Sequence, residues 1–154
     1  MSKFRMRTLA RHRAFKALYS VEFNSVINID DLRKAFDGVP VEDEDNSLND
    51  DSIPEEIQIF GWMICAGVWA NVKELDEKIA RQSGKWHPNR MGRVEITVLR
   101  MALYEMLMSK DGVPAKVVIS EAMEILARYA DAKARYLVNG ILDALANENK
   151  LLEN

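Results

Sequence analysis

A single cysteine, Cys65, stands in the whole chain, so a disulfide-stapled scaffold is excluded. Its surroundings from Trp62 to Trp69 are apolar, which predicts a buried thiol behaving as a small hydrophobe. Histidine is almost as scarce: His12 and His87 lie far apart, and with one cysteine they make no zinc-ligand spacing. No glycine-rich phosphate loop, nucleophile elbow or dinucleotide fingerprint is present. The acidic run Glu42, Asp43, Glu44, Asp45 lacks the alternating ligands and the turn glycine of a calcium loop. No apolar run is long enough to span a membrane, and the basic N-terminus is not followed by the apolar core of a secretory signal. These absences point away from an enzyme, a metal or cofactor site and a membrane protein. With no targeting signal read, a cytoplasmic location is the expectation. The 154 residues, 48% of them apolar, are enough for one domain with a sizeable core.

One sign of charge is missing from the start of the chain. Residues 1–21 carry Lys3, Arg5, Arg7, Arg11, Arg13 and Lys16 and no acid, the first acid being Glu22. The remainder holds 15 basic and 24 acidic residues, a balance of −9 behind an overall −3. A basic arm on an acidic body predicts a localised anion-binding surface, which the total charge hides.

Strand-like alternation is also absent over any convincing length, and the apolar residues fall at helical spacing instead. A first helix is predicted over about 7–24, with Ala10, Ala14, Ala17, Leu18 and Val21 on one stripe, and a short one around Asp31–Phe36. Asp37–Asp51 contains Gly38, Pro40 and dense acid, and reads as a solvated, mobile loop. A long helix opens at Pro54, with Ser52 as its N-cap and Ile57, Phe60, Ile64, Val68, Val72, Leu75 and Ile79 along one face. Gly84, Pro88 and Gly92 mark a break. Val94–Met108 is apolar on more than one face, as a central buried helix is. Two more helices follow, one from Pro114 and one carrying Leu137, Val138, Ile141, Leu142 and Leu145. The fold class expected is all-α, with Ile64, Val68, Leu99, Leu103, Val118 and Leu142 in the core.

Within the first predicted helix, Arg7 and Arg11 are four apart and share one border; Arg13 and Lys16 are three apart and share another. The expectation is that these borders keep the charges in solvent, where an arginine fork can bind phosphate bidentately. Tyr19 follows closely and can stack on an unpaired base, or half-bury itself in the bundle. A solvated basic face with no RNA role is the competing reading of the same pattern.

Three stretches, in this order and spacing, resemble the NusB family. They are Ala10–Ser20 (arginine-rich, then Ala17-Leu18-Tyr19), Trp86–Arg90 with Val94–Glu105, and Val113–Ala122 continuing to Leu137-Val138-Asn139-Gly140-Ile141-Leu142-Asp143. Shorter similarity covers Ala66-Gly67-Val68 through Asn71 to Leu75-Asp76. The resemblance implies a single RNA-binding domain of two packed helical subdomains. It implies binding of boxA-like RNA jointly with the small-subunit ribosomal protein NusE, and so an indirect partnership with the RNA polymerase elongation complex. It puts Arg7, Arg11, Tyr19 and Glu95 on positions matching the family's RNA-facing or adjacent surface, with Lys133 and Tyr136 close to RNA just before Asn139-Gly140. A glutamate beside RNA can accept hydrogen bonds from base amino groups. Asn139 and Gly140 are expected to serve helix packing, and Arg100 and Glu105 to make structural polar contacts. The chain departs from the family where Arg7-Thr8-Leu9 replaces consecutive arginines, at Leu137 where phenylalanine is frequent, and at Tyr136 where lysine is common. The same helical domain accompanies ribosomal RNA methyltransferases, so an RNA-binding domain of that kind is an alternative. No methyl-donor-binding pattern is read in these residues, which favours the antitermination factor. A helical protein-interaction module that never touches RNA is the third reading.

Overall fold

A computed structural model describes residues 1–21, 28–42, 47–48, 52–84 and 90–152. Trp86, His87, Pro88 and the acidic residues 43–45 singled out in the sequence lie outside them, as do residues 22–24 of the predicted first helix. Six helices are found among the described residues: α1 (Lys3–Ser20), α2 (Ile29–Asp37), α3 (Glu55–Ser83), α4 (Arg93–Leu107), α5 (Ala115–Tyr129) and α6 (Ala132–Glu148). Between α2 and α3, β1 (Val41–Glu42) pairs antiparallel with β2 (Ser47–Leu48), in register Val41 with Leu48. The segment expected to be a solvated, mobile loop thus contains a short ladder, anchored by the buried Val41. None of the described helices is long and apolar enough to cross a membrane.

Local chemistry sets the helix starts. The Ser2 side chain accepts from the backbone of Arg5 at 3.0 Å, so α1 begins earlier than its apolar stripe suggested. Asn28 and Asp31 form a reciprocal capping box on α2, and Asp131 caps α6 by accepting from Ala134. At α3 the Pro54 carbonyl takes the first helical bonds, from Ile57 and Gln58, so Pro54 and not Ser52 occupies the cap position. The ring presets the backbone for a helix entry, and its missing N–H is no loss there.

The chain divides into two compact units, Met1–Trp69 and Ala70–Asn154. α3 passes from one to the other, and Asn71 departs from helical backbone angles (φ −123°, ψ 15°) just beyond the boundary.

In the first unit α1 packs on α2, and Ala10, Ala14 and Ala17 are fully buried, small enough for close helix approach. Leu18, Leu32, Phe36, Ile57, Phe60, Ile64 and Val68 complete the core. Gly61 is required by this packing: a Cβ there would stand 2.8 Å from the Phe36 ring and 3.1 Å from the Ala10 carbonyl oxygen. Cys65 is buried, its thiol 3.8 Å from the Ala14 carbonyl oxygen. Burial pushes the thiol pKa up, opposed only in part by the charges of Arg13 and Arg33, so it stays protonated and unreactive.

In the second unit α4 packs against both α5 and α6, and α5 against α6. Four consecutive α4 residues, Ile96–Leu99, are buried, as expected of a central helix. Leu103 of the same helix is buried too, as are Leu75, Ile79, Val118, Leu126 and Leu142 on the other helices of this unit. Arg100 donates to both carboxylate oxygens of Asp76 at 2.8 Å, a bidentate clamp between α4 and the last part of α3. All six residues named for the core from the sequence are buried.

Candidate nucleic-acid interface

α1 carries the basic residues of the first unit, and its burial pattern decides what each can do. From Thr8 to Leu18 every residue is buried except His12 and Lys16. At 3.6 residues per turn, Arg5, His12, Lys16 and Tyr19 share one side of the helix. Between Thr8 and Leu18 that narrow stripe is the solvent face of an otherwise enveloped helix. Lys3 is exposed, while Arg5 and Lys16 are half-buried. Lys3 and Arg5 also sit in the first turn, where the backbone dipole is positive, so the potential at this end of α1 favours anions.

The other arginines are spent on the protein itself. Arg11 is 3% and Arg13 is 5% exposed, which corrects the expectation that both hold their charges in solvent. Arg13 donates from Nε to the Val39 carbonyl at 3.0 Å and from Nη2 to the Asp37 carbonyl at 3.1 Å. Its guanidinium lies 4.4 Å from the centre of the Phe36 ring. It therefore ties α1 to the connector between α2 and β1. Arg11 stands 4.9 Å from the Phe60 ring centre, and Arg7 4.4 Å from the same ring. A cation over an aromatic face is attracted by the ring quadrupole, more so when desolvated. Arg7 also donates from Nε to Glu56 Oε1 at 2.9 Å, with a fifth of its side chain still exposed. Arg7 is thus a held, rim-lying cation, Arg11 and Arg13 are internal struts, and Lys3, Arg5 and Lys16 face outward. Phe60 is read in the sequence only as a core position of the long helix, and neither it nor Glu56, one turn before it on α3, is read there as a partner of Arg7 or Arg11; the only signal is the spacing, which matches that of Arg7 and Arg11 on α1.

Tyr19 is 39% exposed and stacks on Phe15, ring centres 5.7 Å apart at 27°. One ring face is supported from inside the bundle while the side chain reaches solvent, the arrangement a base-stacking platform needs.

The second unit brings Glu95 and Lys133 together. Both line a recess of about 210 Å³, with Arg90 and Asp131 beside them. Glu95 belongs to the first turn of α4, where a carboxylate suits the dipole. A Cβ at Gly92 would collide with its Oε2, so this glycine gives the carboxylate room to fold back over the helix start. Tyr136, one turn before Gly140 on α6, is 85% exposed, the most open of the large apolar side chains described. Asn139 donates to Asp143 at 3.4 Å, a structural contact, and Arg100 is structural as expected. Gly140 does not serve packing: it is exposed, and a Cβ there would meet nothing within 4 Å.

Comparison with known proteins covers nearly the whole chain. A model described as the NusB family matches residues 8–147. The transcription antitermination protein NusB of Desulfovibrio desulfuricans is 41% identical over 144 residues, spanning 94% of this chain and 84% of that one. The NusB of Enterococcus faecalis is 32% identical, spanning 90% and 87%. Among solved structures, T. maritima NusB superposes with a TM-score of 0.74 at 32% identity, over 96% of this chain and 92% of the other. A chain from the complex of antitermination factors NusB and NusE with dsRNA gives 0.70 at 24% identity, over 94% and 98%; at that identity the likeness is one of fold.

Proposed function

The chain belongs to the NusB family of transcription antitermination proteins, and on that premise we propose that it binds boxA-like single-stranded RNA together with the ribosomal protein NusE. The observation that carries the proposal is the acid-free α1, whose outward stripe is basic while the rest of the chain is acidic. Lys3, Arg5 and Lys16 supply phosphate contacts, with Arg7 at their rim. Such contacts position the RNA without reading it. Tyr19 offers a stacking face, and Glu95, in its recess with Lys133, can accept from a base amino group. Arg11 and Arg13 support this surface from within. The role is that of a binding factor in the cytoplasm, acting on the elongation complex through RNA and partner, with no catalytic step. The solved complex of NusB and NusE with dsRNA, similar in fold, supports the pairing of an RNA with a protein partner.

Fluorescence titration of labelled boxA-like and scrambled RNA, with and without NusE, tests this. The expected result is preference for boxA-like RNA that strengthens when NusE is present. Tyr19→Ala should cost about 1–3 kcal/mol of binding, with little change in salt dependence, if the ring carries a base. Equal weak affinity for both RNAs, indifferent to NusE, contradicts the proposal; NusE binding without any RNA binding makes the chain a protein-interaction module.

A further inference from the structure

An acid reaches the basic helix α1 from outside it. Arg7 Nε donates to Glu56 Oε1 of α3 at 2.9 Å, and the two side chains keep 19% and 31% of their surface in solvent. The pair is therefore open enough for other ions to reach, and an ion pair so placed adds little to stability. Two features let it exchange without disturbing the fold. The Arg7 guanidinium also lies 4.4 Å from the centre of the Phe60 ring, a contact that does not involve Glu56. Glu56 stands in the first turn of α3, where its carboxylate keeps the favourable field of the helix dipole when its side chain turns toward water. Lys3, one turn before Arg7 on the same side of α1, is exposed.

We infer that Glu56 is an internal stand-in for an RNA phosphate: it occupies Arg7 in the free protein and is displaced by a phosphate on binding, while Phe60 keeps the guanidinium in place. The inference rests on the RNA-binding reading above and adds a competitor which that reading does not contain. A carboxylate and a phosphate present the same chemistry to arginine, anionic oxygens that accept from its N–H groups. Exchange of one for the other keeps the cation paired throughout, so a largely covered guanidinium is never left without an anion. The displaced carboxylate turns into water. An RNA already drawn in by Lys3 and Arg5 thus gains Arg7 in exchange for one weak ion pair, and Glu56 lowers the affinity by the strength of that pair.

The test is equilibrium binding of boxA-like single-stranded RNA in the presence of NusE, for the parent, Glu56→Gln, Arg7→Gln and the double variant, with melting temperatures to confirm folding. Glu56→Gln should bind about 2- to 5-fold more tightly than the parent, the strength of a part-exposed ion pair. Arg7→Gln should bind more weakly and flatten the slope of log affinity against log salt by about 0.7. With Arg7 already replaced, Glu56→Gln should lose most of its gain. Glu56→Asp keeps the charge but shortens the reach, so it should bind like Glu56→Gln, and it carries the test if Glu56→Gln folds poorly. A gain of the same size with and without Arg7 overturns the inference, because Glu56 would then act only as a nearby negative charge. Parent-like affinity in Glu56→Gln and Glu56→Asp also overturns it, because the pair would then persist in the complex. A loss matching that of Arg7→Gln does the same, because Glu56 would then present Arg7 to the RNA rather than compete for it. Each of these outcomes leaves the RNA reading intact; if the parent binds no RNA, that reading falls and the inference with it.

Discussion

Arg13→Ala should lower the unfolding free energy by about 2–4 kcal/mol and leave the salt dependence of RNA binding where it was. Arg13 is 5% exposed, and its guanidinium serves two carbonyls, Val39 and Asp37, while lying over Phe36. A hydrogen bond from a charged donor contributes about 1.5–3 kcal/mol, and a desolvated cation–ring contact can add about 2, though the contributions overlap and do not sum. Removing the side chain leaves the connector carbonyls without their donor and a void beside Phe36. Arg13→Lys should fall between parent and alanine, because one ammonium cannot reproduce a planar fork on two acceptors. Urea denaturation measures the loss. A change under about 0.5 kcal/mol would mean that Arg13 behaves as a surface residue. A flattened salt slope in the folded variant would mean that it reaches phosphate.

Leu103→Ala should cost about 2–5 kcal/mol. Leu103 is fully buried in α4, the helix of the second unit that packs on both α5 and α6. Truncation removes three carbons from an apolar site and leaves a cavity that neighbours on two helices can only partly fill. The spread in the expected cost reflects how far they collapse into it. Tyr136→Ala on the adjacent α6 is the control: its side chain is already in water, so stability should change by no more than about 0.5 kcal/mol. Comparable losses in the two variants would show the core to be misplaced.

The helices and the core were readable because burial follows a 3.6-residue period that local sequence displays. Ile64, Val68, Leu99, Leu103, Val118 and Leu142 needed no knowledge of their partners to be recognised as inward-facing. The basic arm was readable as a charge count, but its division into outward and buried cations was not. What holds Arg7 at the rim and Arg11 and Arg13 inside is Glu56, Phe60, Phe36 and the carbonyls of residues 37 and 39, and each of these is more than twenty residues away along the chain. A long side chain at the border of a helical stripe is placed by whatever lies opposite, which the helix's own sequence does not contain. The same applies to His12, on the solvent stripe between Arg5 and Lys16, and to Gly140, which faces open space. The β1–β2 ladder is not legible in the sequence because two-residue strands are too short for alternation to register.

The most direct test of the central claim is the salt dependence of RNA affinity when the outward cations of α1 are removed. Lys3, Arg5 and Lys16 are replaced together by glutamine, helical content is confirmed by circular dichroism, and boxA-like RNA is titrated with NusE across a series of salt concentrations. Each lost phosphate contact on single-stranded RNA should flatten the slope of log affinity against log salt by about 0.7, so the triple variant should bind more weakly with a slope reduced by about 2. A triple variant that keeps the parent's affinity and slope at every salt would contradict the account, because the basic face of α1 would then carry no RNA.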